Sequence, residues 1–218
     1  MDQGPFLGVL MLDTRFPRPP GDVGHPASWS MPVRFRVVAG ASPQRVVQQP
    51  DATLLQPFIN AARQLVEQGA AAITTSCGFL VRWQGALQAA LPVPVWTSSL
   101  LALPGLRRPG VLTVDAASFD GGLLQAAGGA SGTPVQGLAC GCALQRTLLQ
   151  DLPDLDLAAA EADTVAAALR LVQHTGGVDT IVLECTNLPP YAAAVQRATG
   201  RPVHHLMTLV HERWNLLP

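Results

Sequence analysis

The sequence predicts an α/β protein of two pseudo-symmetric lobes, each a parallel-type sheet flanked by helices, with its site in the cleft between them. Three observations carry this. Short apolar runs alternate with segments of helical periodicity, the pattern of crossover units and parallel sheets. The second half repeats landmarks of the first at a constant offset. Each half also places a cysteine at the same point of the repeat, in Gly69-AAAITTS-Cys77 and Gly177-VDTIVLE-Cys185. The offset that carries Cys77 onto Cys185 carries Ile73 onto Ile181, Trp83 onto Tyr191, Pro94 onto Pro202 and Val95 onto Val203. A looser match sets Gly8-VLML-Asp13 against Gly110-VLTV-Asp115. The expected division is 1–104 for the first lobe and 105–206 for the second, with 207–218 packing back on the first.

Taken in order, Phe6-LGVLML reads as a buried strand that ends at Asp13. From Thr14 to Pro50 the chain is rich in Pro, Gly and Arg, with strand-like alternation only in Pro32-VRFRVV; so long an irregular stretch is commonly functional. Asp51 caps a helix whose Leu54, Leu55, Phe58, Ile59, Ala62, Leu65 and Val66 recur at helical spacing and which stops at Gly69. Pro57 implies a later start or a bent first turn. Ala70-AAITTS is a strand, Leu80-VRWQGALQAAL a helix and Val93-PVWTS a short strand. The second half gives strand Gly110-VLTVD, a short helix from Ser118 to Ala127, and the weak strand Thr133-PVQGL. A helix from Ala158 to His174, ended by Gly176-Gly177, and strand Thr180-IVLE follow. Pro189-PYAAAVQRAT is a helix with proline at its tolerated first turn, Arg201-PVHHLM a last strand, and Thr208 to Asn215 a terminal helix.

Composition bounds the function. The chain has 218 residues, 48% hydrophobic and 13% charged, enough to bury a large core. A net charge of −1 offers no general attraction to nucleic acid or anionic lipid. No apolar run approaches the roughly 20 residues that span a bilayer, and Met1-DQGPFLGVL reads as a first strand, not a secretory signal. Four cysteines without an export signal point to free thiols in a reducing, cytoplasmic setting.

Both repeat cysteines fall at a strand's C-terminal end before a helix, where this architecture places chemistry. A thiol there faces free N–H groups and the helix dipole, which is expected to lower its pKa below the free value of about 8.5. The N–H groups of Gly78, Phe79, Thr186 and Asn187 are expected to hold a substrate carboxylate, with the side chains of Thr74, Thr75, Ser76, Thr186 and Asn187 adding hydrogen bonds. One sulfur then removes a proton from the adjacent carbon and the other returns one from the opposite face, with no cofactor. Neither thiol has a Cys or His nearby at zinc spacing, so no metal is expected. Cys140-Gly-Cys142 has no counterpart in the first half and reads as packing. Among Arg15, Arg18, Arg34 and Arg36 a second carboxylate would find bidentate partners, although most arginines are solvated.

Thr74-TSCGF and Glu184-CTN resemble the cysteine loops of the aspartate/glutamate racemase superfamily, which includes hydantoin racemases, maleate isomerase and arylmalonate decarboxylase. The resemblance spans nearly the whole chain. It implies two pseudo-symmetric lobes, a small carboxylate substrate, homodimers, and Cys77 and Cys185 as paired acid/base residues. It places Thr186 and Asn187 in the anchoring loop, and Asp13 with Thr14 where the first strand lines the pocket in some members. Glutamate racemases carry Cys-Asn-Thr and Cys-Thr-His where this chain has Cys77-Gly78-Phe79 and Cys185-Thr186-Asn187, so the substrate need not be glutamate. The decarboxylase branch keeps only the second cysteine. The leading expectation is a cofactor-independent racemase or epimerase of an amino acid or related carboxylate. Cis–trans isomerisation, decarboxylation and a non-catalytic carboxylate-binding role are the alternatives.

Overall fold

A computed structural model describes residues 4–175 and 177–217; Gly176 of the expected helix stop, Met1 to Gln3 and Pro218 lie outside them. The first sheet has four parallel strands in the order β2 (Val33–Val38), β1 (Phe6–Leu12), β3 (Ala70–Thr75), β4 (Val95–Trp96). The second repeats that order with β6 (Val135–Gly137), β5 (Pro109–Thr113), β7 (Thr180–Leu183) and β8 (Val203–His204). The repeat read in the sequence is therefore a repeat of topology, and each cysteine follows the strand that pairs with its lobe's leading strand.

β1 is apolar throughout because both of its faces are covered. Phe6, Leu10 and Leu12 join the core of α1 (Leu55–Glu67) through Phe58, Ile59, Ala62 and Leu65. Leu7, Val9 and Met11 meet Leu206, Met207, Leu209 and Val210 of α7 (Leu206–Trp214) on the other face. Gly8 lets α1 approach: a Cβ there would meet Leu65 and Ile73 at 3.0 Å or less. Gly110 does the same for Leu171 of α5 (Leu157–Thr175) and for Val178. The matched glycines thus mark the same helix-to-strand contact in both lobes.

Between these elements lie α2 (Gln84–Ala90), α3 (Gly121–Ala126), α4 (Ala143–Leu149) and α6 (Ala192–Thr199). Pro57 sits in the first turn of α1, where no intrahelical donor is lost. The structure corrects three details. β4 is only two residues long. Helix α4 was not expected. The last strand stops at His204, because His205 caps α7 and turns Leu206 and Met207 into helix: its Nδ1 accepts the Thr208 N–H while Thr208 Oγ1 accepts the His205 N–H.

Candidate active site

Cys77 leaves β3 in extended conformation and opens the 3₁₀ turn Gly78–Trp83 that leads into α2. Cys185 leaves β7 ahead of the turn into α6. Both thiols are free and buried, at 8% and 7% exposure. They line one cavity, part of it open to solvent. Hydrogen bonds across the lobes fix this meeting. Thr186 Oγ1 donates to the Ser76 carbonyl at 2.6 Å and Ser99 Oγ to the Leu183 carbonyl at 2.7 Å; within the first lobe Ser76 Oγ accepts the Leu12 N–H. Gly78 permits the contact, since any Cβ there would collide with the side-chain and backbone oxygens of Glu184.

Of the residues expected at the site, Cys77, Cys185, Ser76, Gly78, Phe79, Thr186 and Asn187 line this cavity. Thr75 stands behind the wall, fully buried, its hydroxyl donating to the Cys77 and Thr97 carbonyls. Asp13 and Thr14 are placed elsewhere. Asp13 is exposed and accepts the Gly40 N–H, closing the turn after β2; Thr14 Oγ1 accepts from Arg18. β1 ends one residue too soon to bring them in: Leu12 is its last side chain on the wall. The four arginines are also off the wall. Arg15 pairs with Asp151, Arg18 with Asp22, and Arg34 stacks on the Phe6 ring.

The long irregular segment closes the cavity. Phe16, Pro43 and Val47 face Val114, Leu148 and Leu149 from the second lobe. The Asp151 carboxylate accepts the backbone N–H groups of Arg15 and Phe16, tying that segment to the turn after α4. The walls are therefore mostly apolar, and burial dominates the electrostatics. It pushes the Cys77 thiol up to about 12, with the Glu184 carboxylate adding to the effect, against the Phe79 N–H and the charges of Arg18 and Arg82. Cys185 is likewise raised well above its ordinary value by the same burial and by Glu184, against the Asn187 N–H. The expectation of acidified thiols is thus corrected. The N–H groups are in place, but desolvation outweighs them.

Two elements were not read as part of the site. The Cys185 thiol donates to Asn187 Oδ1 at 3.5 Å, and Asn187 Nδ2 donates to Asp22 Oδ2 at 2.6 Å. Asp22 is buried and ion-paired to Arg18. This chain fixes which end of the Asn187 amide faces sulfur. The other is Glu184, fully buried on the cavity wall. Its Oε2 accepts from Thr113 Oγ1 at 2.7 Å, while its Oε1 has no partner. Burial raises it to about 7, against the Thr113 hydrogen bond and the charge of Arg82. The repeat held a signal for it, since Glu184 occupies the position of Ser76. Cys140 is exposed and Cys142 stands at the N-terminus of α4, neither on the wall. Among the described residues no three His, Cys, Asp or Glu side chains are grouped to hold a metal, and no helix is long and apolar enough to cross a membrane.

The fold is that of the aspartate/glutamate racemase and arylmalonate decarboxylase superfamily. Unliganded arylmalonate decarboxylase superposes with a TM-score of 0.60 at 20% identity, covering 91% of this chain and 86% of that one. Allantoin racemase from Pseudomonas fluorescens gives 0.58 at 16% identity, over 96% and 90%. No protein-family model matches the chain. Within that fold the chain belongs to the dimethylsulfoniopropionate lyase family: it is 30% identical to the dimethylsulfoniopropionate lyase of Durusdinium sp. clade D over 91% of its own length and 70% of the relative's. Dimethylsulfoniopropionate lyases 7 and 6 of Emiliania huxleyi are 32% and 34% identical, each over 94% of this chain, which spans 64% and 57% of their lengths. The expectation of a racemase-type isomerase is corrected by these relatives, which are named as lyases.

Proposed function

We propose that this chain is a lyase that eliminates dimethyl sulfide from dimethylsulfoniopropionate or a near analogue, using the paired thiols. Its kinship with the named lyases carries the reading. The shared cavity supplies a chemistry for it. Substrate carboxylate rests on the backbone N–H groups at Gly78, Phe79, Thr186 and Asn187, with Ser76 on the floor, Thr75 supporting it from behind, and the Thr186 and Asn187 side chains on the wall. One thiolate, from Cys77 or Cys185, takes the proton from the carbon next to the carboxylate. The C–H electron pair becomes the new double bond, the C–S bond breaks, and sulfur departs with its electrons as neutral dimethyl sulfide. Acrylate remains, and the proton stays on the thiol.

A raised thiol pKa leaves little thiolate in the empty site. A sulfonium ion entering a dry cavity favours nearby negative charge, so the substrate helps to create its own base. The wall formed by Phe16, Phe79, Leu148 and Leu149 gives the departing dimethyl sulfide an apolar surround. Homodimers, a cytoplasmic setting and the lobe division at 104/105 belong to the same reading. Purified protein incubated with dimethylsulfoniopropionate is expected to yield dimethyl sulfide and acrylate in equal amounts by NMR. Unchanged substrate after prolonged incubation with folded protein at mildly alkaline pH would reject the assignment.

A further inference from the structure

Glu184 is the one wall residue whose charge the elimination scheme leaves unused. A buried carboxylate oxygen without a partner is costly and calls for an explanation, of which a ligand that completes it is one. Thr113 satisfies Oε2 and fixes the carboxyl plane, while Oε1 is buried without a partner beside Gly78, in a residue that lines the cavity. The groups around it are Thr113, the Gly78 backbone, the two thiols and Arg82. Arg82 acts on Glu184 only at longer range. Its own Nη2 is buried without a partner, and among the described residues no ion pair joins the two. The site therefore keeps a fixed, half-satisfied carboxyl beside both sulfurs.

We propose that Glu184 is the cation subsite of this cavity, pairing through Oε1 with a positively charged onium group at the carbon next but one to the substrate carboxylate. The choice of that position rests on the lyase reading. The subsite has two consequences. It selects zwitterions of this shape over uncharged carboxylates, and it repels dicarboxylates, whose second anion would face Oε1. It also couples binding to chemistry. The Glu184 charge is among the causes that raise both thiols, so an onium ion that neutralises it removes part of the barrier to forming thiolate. The substrate's charge thus frees the base that attacks it, and an uncharged look-alike does not.

A matched pair of non-reacting ligands isolates the charge: trimethylammoniopropanoate, and its isostere with a tert-butyl group in place of trimethylammonium. Calorimetric affinities are compared for wild type and Glu184→Gln above pH of about 7, where the wild-type carboxyl is ionised. Wild type is expected to favour the cation by about tenfold or more. Glu184→Gln is expected to bind both within about threefold, with its affinity for the uncharged ligand kept, which also shows that the cavity has folded. A preference that survives in Glu184→Gln, equal affinities in wild type, or no binding of either ligand to wild type would each overturn the subsite. Release of dimethyl sulfide from dimethylsulfoniopropionate, followed on the same wild-type sample, separates the two ideas. Turnover without a cation preference removes the subsite and leaves the lyase; a Glu184-dependent preference without turnover does the reverse.

Discussion

The two cysteine loops share one frame and differ in charge. Each follows a strand paired to its lobe's leading strand, and each thiol meets a backbone N–H two residues on, from Phe79 in one and Asn187 in the other. In the first loop the preceding residue is Ser76, a neutral group holding the end of β1. In the second it is Glu184, a fully buried carboxyl with one oxygen unpartnered, in a residue that lines the cavity. Phe79 gives an apolar wall where Asn187 gives an amide fixed by Asp22 and Arg18. The repeat thus supplies two similar sulfurs, and only one of the two loops carries a buried carboxyl next to its cysteine. A symmetric pair suits exchange between mirror images, whereas an asymmetric field suits a substrate with unlike ends.

The largest effect expected is on the shared feature. Of Cys77→Ser and Cys185→Ser, the one that removes the base should lower dimethyl sulfide release by about 10³-fold, because a serine hydroxyl is far less acidic than a thiol and supplies almost no anion to take the proton; wild-type rates in both variants would show that neither sulfur is the base. Next comes the support of the second loop. Asp22→Ala strips Arg18 and Asn187 of a buried partner and should cost about 3 kcal/mol in urea unfolding. Arg18→Ala with Asp22→Ala should then cost less than the two single changes added together.

Glu184→Gln sharpens the asymmetry through pH. The folded-state carboxyl is raised from 4.5 to about 7, so native protein keeps a proton that the unfolded chain has lost across that window. Its contribution to stability therefore falls as pH rises from 4.5 to about 7, by about 1–3 kcal/mol. Glu184→Gln should be the more stable protein above that range and lose the advantage below it. Ser76→Ala, at the matching place, should show no such pH-dependent difference. His205 gives a smaller and opposite signal. Burial, with His204 and His211 nearby, lowers it from 6.5 to about 4, so stability is lost as pH falls through that interval, by about 2 kcal/mol or less. His205→Asn keeps a capping side chain and should flatten this loss. Asp13→Asn, outside the cavity, should change stability by less than about 1 kcal/mol and leave turnover intact.

The frame was legible because it is local and repeated: β1 and β5 with their glycines, the strand before each cysteine, and α1 all announce themselves in short windows, although Asp51 caps the 3₁₀ turn Ala52–Leu54 ahead of α1 and not α1 itself. The walls were not. Phe16, Pro43 and Val47 come from a segment without periodicity, and Asp22 reaches Asn187 across 165 residues of chain. Asp13 misled because strand-end acids are equally good at closing turns, which is its place here. Glu184 looked like the last residue of a strand, although its match to Ser76 set a carboxylate beside a thiol. The thiol pKa went the other way because helix N-termini are visible in sequence and burial is not. Lyase and racemase could not be told apart because a thiolate takes the same proton in both; the fate of the carbanion depends on the group the substrate carries next door.

The central claim is that Cys77 and Cys185 address a single trapped molecule, and alkylation tests it most directly. In a Cys140→Ser/Cys142→Ser background, a bromo-carboxylate of substrate size should leave one adduct per chain at alkaline pH, on either sulfur, because the first fills the space the second needs. Peptide mapping that finds Cys77 and Cys185 both modified in the same chain would contradict the account.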